Sequence, residues 1–510
     1  MCDKYSWPAL AHHVSHIQYC CNKQKEKIAL QLSLKQYLQK CSSDSSFLKN
    51  FYGALMLDAT TLSRIQFALT IGFHYIFPPL SIGLSLMIVI FEGLYLRTKD
   101  NLYLRTTKFM TKLFALSFAL GVATGIVQVF AFGNNWGRYS EFVGDVFGSV
   151  LAAEGIFAFF LEAGFIGIML FGWDKVSKRV HYLSSCLVSI GAHFSAVWIV
   201  AANSWMQTPA GFKIIGEGTR ARAVITSYYD VVFNPSFLDR ITHVLIGCWL
   251  TGAFFVVSIS AYYLLKKRHT AMANMSLKVS LIVGTIMVVL QLISADSSAK
   301  GVAKHQPAKL AAMEGVYKTQ ENTPIYVAGW VDPEKQETRG ITIPGGLSFL
   351  VNGDFSGKAV KGLDSIPKTD WPYVPAVFQF YHVMIYMWGG MALAVTLGLI
   401  YWRKLAETPW LLRYMMLSVY FPFIANQAGW FTAEMGRQPW IVQGIMRTSA
   451  GVSRAITPAM VWGSLAMFVV IFAALFALFI FLLDRKIKHG PDESSDADMV
   501  YRDPYKGDVR

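Results

Sequence analysis

The chain carries about nine separate apolar stretches, most of about 18 residues or more, and this pattern fixes what it can fold into. They run approximately over Gln66–Leu96, Leu113–Phe132, Val146–Trp173, Tyr182–Ala202, Ile241–Leu265, Leu277–Ser294, Ala376–Trp402, Leu411–Phe431 and Met460–Leu483, the sixth being the shortest and weakest. Backbone in hydrocarbon must satisfy its polar groups internally. The spacing therefore predicts an all-α, polytopic membrane protein with its helices in bundles. Composition agrees, with 54% hydrophobic and only 15% charged residues and a mean hydropathy of +0.39. A net charge of +14 would suggest nucleic acid in a soluble chain. Here the basic residues sit beside the spans, and no nucleic-acid partner is expected.

Those basic residues also orient the chain. Arg97, Lys99, Arg105 and Lys108 follow the first span, and Lys175, Lys178 and Arg179 the third. Lys266, Lys267 and Arg268 follow the fifth, Arg403 and Lys404 the seventh, and Arg485, Lys486 and Lys488 the ninth. Every second loop is basic and is expected on the cytoplasmic side, with the N-terminus outside and the C-terminus inside. The chain then divides into an N-terminal extension (1–55), six spans (56–294), an outer-face loop (295–375), three spans (376–484) and a cytoplasmic tail (485–510). The extension is polar and lacks an apolar core long enough for a signal peptide. Its His12, His13, His16, Cys20 and Cys21 match no zinc spacing, and mature function is expected to begin at Met56. With no Cys-x-x-Cys pair, iron–sulfur and thiolate-zinc sites are not expected.

Polar residues inside the spans carry the functional signal, because intramembrane charge is costly and mostly functional. Trp430 to Trp440 reads Trp-Phe-Thr-Ala-Glu-Met-Gly-Arg-Gln-Pro-Trp and sets Glu434 and Arg437 where the eighth span leaves the hydrocarbon. His74 lies just before Pro78 and Pro79, which should kink the first span; His243 opens the fifth and Met384 the seventh. The orientation brings these four potential ligands to one layer near the outer face. Two His, a Met and a carboxylate suit haem iron. Glu154 and Glu162, eight residues apart in the third span, would lie about 80° apart round the helix and about 12 Å along it. Such a pair can relay protons, or can be held structurally by Ser195, His193 or Asn203. In the outer loop, Gln306 to Glu314 reads as a short helix whose Lys309 and Glu314 could bind a polar head group or simply be solvated.

Together these residues resemble subunit I of the cytochrome bd quinol oxidases over Met56 to about Arg485. The resemblance is carried by Ser63-Arg-Ile-Gln-Phe-Ala-Leu-Thr, Phe118-Ala-Leu-Gly-Val-Ala-Thr-Gly, Asn203-Ser-Trp-Met-Gln-Thr-Pro, Lys309-Leu-Ala-Ala-Met-Glu and Gly436-Arg-Gln-Pro-Trp. It implies a terminal oxidase of the bacterial inner membrane that oxidises quinol, reduces dioxygen to water and builds a proton motive force without pumping. It implies three haems: a low-spin haem b held by His243 and Met384, and a high-spin haem b and a haem d (chlorin) shared between His74 and Glu434 in either pairing. Glu154 and Glu162 match the acidic residues of proton delivery, Lys309 and Glu314 the quinol-loop positions. Trp430 and Arg437 match residues that pass electrons and hold haem propionates. The implied partners are subunit II and a small accessory subunit. His382 stands where many members have Arg, and the outer loop is short.

A proton-coupled transporter is the alternative, with the buried acids as coupling sites. It would carry an inverted repeat, and the sequence holds none. A haem–copper oxidase needs more membrane histidines than His74, His193, His243 and His382.

Overall fold

In a computed structural model, residues 57–354 and 357–492 are described. The His/Cys group of the extension, Met56 and most of the tail lie outside them. The first span is two helices, α1 (Ala59–His74) and α2 (Phe77–Thr98). The chain breaks at Tyr75–Ile76 as the prolines predict, since Pro78 and Pro79 fall in the first turn of α2, where amides need no helical partner. Asp58 caps α1, and Asp100 caps α3 (Asn101–Asn135) by accepting from the Leu102 N–H at 2.9 Å. The third span joins α4 (Gly137–Ala153), a π-helical turn (Glu154–Phe159) and α5 (Phe160–Phe171). The fourth is α6 (Lys178–Gln207), followed by a small antiparallel pair, β1 (Phe212–Ile215) and β2 (Arg222–Ile225), and a short α7 (Tyr228–Val232).

The fifth span, α8 (Phe237–Leu265), is the hub of the bundle. It packs against α2, against α6, and against α9 (Thr270–His305). At its crossing with α2 the two backbones touch: a Cβ on Gly83 would lie 2.0 Å from the Cys248 carbonyl oxygen, and one on Gly252 2.1 Å from the Gly83 carbonyl carbon. Only glycine fits at either position.

The sixth span corrects the expectation of a short, weak helix: α9 covers 36 residues. Apolarity marks only its middle. The polar continuation stays helical because Lys300 pairs with Asp296 one turn back at 2.6 Å, and the Ser297 hydroxyl donates to Asp239 of α8, also at 2.6 Å.

The seventh and ninth spans are α12 (Val374–Ile400) and α16 (Pro458–His489). Among the described residues eight helices are long and apolar enough to cross a membrane. The eighth expected span, Leu411–Phe431, is divided between α13 (Pro409–Leu417) and α14 (Tyr420–Met435). Large side chains such as Phe160, Phe171 and Val129 stand at least 70% exposed, which suits a surface facing lipid rather than water.

The loop between α9 and α12 has more structure than its composition suggests. It holds α10 (Pro307–Glu314), a hairpin of β3 (Ile325–Asp332) and β4 (Glu337–Ile343), and α11 (Gly346–Asn352). Leu310, Met313, Val331, Leu347 and Leu363 form a core that closes against Val377 and Phe378 of α12. A last short pair, β5 (Trp440–Val442) and β6 (Met446–Arg447), and α15 (Thr448–Gly451) precede α16.

Candidate active site

Four elements converge on Glu434 at the end of α14. Its Oε1 accepts from Asn203 Nδ2 at 2.9 Å and Gln207 Nε2 at 3.3 Å, both on the last turns of α6. Its Oε2 pairs with Arg437, whose other arm donates to the Ile441 carbonyl. Arg240 of α8 donates to the Asn203 side-chain oxygen. From α10, Lys309 Nζ donates to the Gln207 side-chain oxygen and to that of Gln306 at 2.8 Å. Gln207 is therefore a bridge, its carbonyl facing Lys309 and its amide facing Glu434. The loop lysine and the membrane carboxylate, assigned to separate tasks by sequence, belong to one buried network.

Lys309 is buried, and that burial, reinforced by Arg240 and Arg437 and opposed by Glu434, holds its ammonium well below the usual lysine range. Five residues on, Glu314 is also buried. Burial pushes its carboxyl up to about 7, against a hydrogen bond from the Tyr381 hydroxyl of α12, and its Oε2 has no partner. Such an acid changes protonation near neutral pH.

The candidate iron ligands differ in what they leave available. The Thr124 hydroxyl donates to the Leu120 carbonyl at 2.8 Å, so at 2.9 Å it accepts from His74 Nδ1. That fixes the tautomer and leaves the Nε2 lone pair of His74 with no partner among the described residues, the arrangement of a metal-binding histidine. His243 has the Gln291 amide nitrogen beside both ring nitrogens at 3.0 and 3.1 Å, and Gln291 Oε1 is buried without a partner. Met384 points its sulfur at Gly429 of α14, where a Cβ would come within 2.9 Å. Glu434 is the least available, with both oxygens engaged. The Nε atoms of Arg437 and Arg240 are buried and unpartnered, donors suited to an anionic group. Trp430 packs edge-on against Phe431, which stacks on Phe380 of α12 at 4.9 Å.

The third-span acids face α6 together. Glu154 accepts from Ser195 at 2.7 Å, so the structural partner named from sequence is present. Glu162 lies against Gly191, one turn from Ser195, where a Cβ would sit 2.7 Å from its Cγ. The intervening π-helical turn changes the rotation assumed for a regular helix, yet both carboxyls keep to one face of α6.

His382 does not join the Arg437 cluster. Its ring nitrogens face the Phe378 carbonyl at 2.8 Å and the Tyr326 carbonyl at 2.9 Å. Sequence reading missed Arg240 and Tyr381, which carry no signal until the helices are assembled. It also passed over Glu92, buried in α2 against His181 at 2.6 Å and Ser185 at 2.6 Å. Here the signal existed, since Glu92 is an acid within an apolar span.

Residues 62–491 match the model of the family described as cytochrome bd terminal oxidase subunit I. The chain belongs to that family. It is 40% identical over 464 residues to the cytochrome bd ubiquinol oxidase subunit 1 of Bacillus subtilis, a span covering 88% of this chain and 98% of the relative. It is 33% identical to the cytochrome bd-II ubiquinol oxidase subunit 1 of Escherichia coli, with 86% and 98% covered. The bd oxidase structure from Geobacillus thermodenitrificans superposes with a TM-score of 0.79 at 30% identity, covering 85% of this chain and 99% of that one. As a cytochrome bd family member the chain is a multi-pass haem protein and a subunit of an oxidoreductase, and the transporter alternative is not favoured.

Proposed function

We propose that the chain is the haem-bearing subunit of a terminal quinol oxidase in a bacterial cytoplasmic membrane, with the α10 loop and the N-terminus outside. The observation that carries this reading is the Gln207 bridge, which ties loop residue Lys309 to Glu434 while Glu314 stands at the far end of α10 with a free oxygen. His243 and Met384 would hold a low-spin haem b. His74 and Glu434 would serve the high-spin haem b and haem d, in a pairing left open. Haem bound at these residues supplies the redox iron that carries electrons from quinol to dioxygen. Two quinols give four electrons and four protons, which with dioxygen yield two waters and two quinones.

The residues of the chain manage charge and protons. Lys309 offers a hydrogen-bond donor to the quinol head group, and Glu314, once ionised, takes the hydroxyl proton. Arg437 and Arg240, whose Nε donors are buried and unpartnered, would hold haem propionates. Trp430 lies on the electron route between α14 and α12. Glu162 and Glu154 pass protons from the cytoplasmic side toward the oxygen site along α6. Uptake and release on opposite faces separate charge without a pump. Subunit II and a small accessory subunit would complete the complex.

Co-expression with the partner subunit, purification, and a reduced-minus-oxidised spectrum alongside quinol-dependent oxygen uptake test the reading. A red chlorin band beside b-type bands, with uptake, is expected. Bands of b type alone would overturn the haem d assignment, and a haem-free active assembly would overturn the oxidase reading.

A further inference from the structure

The hairpin β3–β4 lies across both halves of the Glu314–Tyr381 pair. On one side the Thr338 hydroxyl of β4 donates to the Gly315 carbonyl at 2.7 Å, next to Glu314, and the Tyr326 hydroxyl donates to the Thr338 carbonyl at 2.9 Å. On the other side three side chains of α12 grip β3. Gln379 Nε2 donates to the Gly329 carbonyl at 3.0 Å, His382 Nε2 reaches the Tyr326 carbonyl at 2.9 Å, and the Tyr386 hydroxyl donates to the Val327 carbonyl at 2.8 Å. Positions 379, 382 and 386 fall on one face of a helix. Neighbouring carbonyls in a strand ordinarily point opposite ways. Here the pairing register shifts between Tyr326 and Ala328, and the bulge turns the carbonyls of 326 and 327 both toward α12.

We propose that His382 is a positioning residue for quinol oxidation: with Gln379 and Tyr386 it seats the β3–β4 hairpin on α12, and the seated hairpin holds Glu314 against Tyr381. His382 is the central contact of the three. It is buried, with its ring stacked on Phe378 at 4.0 Å, and Phe378 belongs to the core beneath α10. Thr338 of the hairpin holds the Gly315 carbonyl, next to Glu314, so a shift of the hairpin moves the acid away from the phenol. The proposal rests on the quinol role of Glu314 given above, but the seating itself is read without turnover.

The test compares the assembled oxidase with its His382→Ala and His382→Gln variants by hydrogen exchange over residues 325–343 and by quinol titration. Loss of the contact in His382→Ala should speed exchange across the hairpin about tenfold, the scale of one buried hydrogen bond. KM for quinol should rise about five- to tenfold with kcat within about twofold and haem bands unchanged, while Gln, which keeps a donor of similar reach, restores both. Unchanged exchange in His382→Ala overturns the proposal, as does faster exchange with an unchanged KM. If His382→Ala fails to assemble, Tyr386→Phe removes a single hydroxyl donor. It should speed exchange about threefold, and unchanged exchange there overturns the proposal equally. A wild-type complex that takes up no oxygen with quinol overturns the quinol reading alone, since exchange reports the seating independently.

Discussion

Glu434 and Glu314 are both buried carboxylates, reached from opposite ends of α10, and their surroundings could hardly differ more. Glu434 accepts from Asn203 and Gln207 and faces Arg437, with Arg240 and Lys309 behind. Glu314 has one phenol and an unpartnered oxygen. The first setting suits a carboxylate that stays charged and anchors a network. The second suits one that gains and loses a proton. Two glutamates of the same chain thus divide into a fixed charge and a working acid through their neighbours alone.

The contrast breaks most visibly at the anchored end. Arg437→Ala should strip a buried partner from Glu434, a loss of about 3–5 kcal/mol, and the purified complex should lose most of its haem absorbance. Glu314→Gln should leave haem absorbance intact while lowering quinol oxidation about 100-fold, the usual scale for removing a general base. The sign with pH follows from the carboxyl raised to about 7: below that it holds a proton and cannot accept one, so quinol oxidation should rise as pH passes through 7. Steady-state rates from pH 5.5 to 8.5 should show that rise in the native enzyme and a flat profile in Glu314→Gln. The same contrast recurs in the third span, where Glu154 is held by Ser195 and Glu162 has no hydrogen bond among the described residues. Glu162→Gln should slow oxygen reduction about tenfold with haem content intact, measured as oxygen uptake per haem, and an unchanged rate would remove Glu162 from the proton route. Ser195→Ala should have the smallest effect, about two- to threefold, since it deletes one hydrogen bond to Glu154.

The membrane body was legible because its rule is one-dimensional: apolar length sets a span, and a proline pair in the first span sets its break. The candidate ligands were legible for the same reason, as polar residues in the wrong solvent. Where the rule depends on neighbours, the sequence is silent. The helix through Asp296 and Lys300 is held by an ion pair and a contact to Asp239, neither of which raises local apolarity. The loop between α9 and α12 has no long apolar run, yet a few scattered side chains meet over Phe378 to give it a core. Gln207 is an unremarkable amide until α6, α10 and α14 come together around it.

The crossing of α2 and α8 has a consequence for how this chain can vary. Gly83 and Gly252 leave no room for even a methyl group, so each is a site where drift is closed and where neither can be replaced in compensation for the other. The helix that follows the His74 break and the helix that bears His243 are thereby joined as one splint. Loops and lipid-facing surfaces can diversify around that splint, while any side chain at either glycine would force α2 and α8 apart.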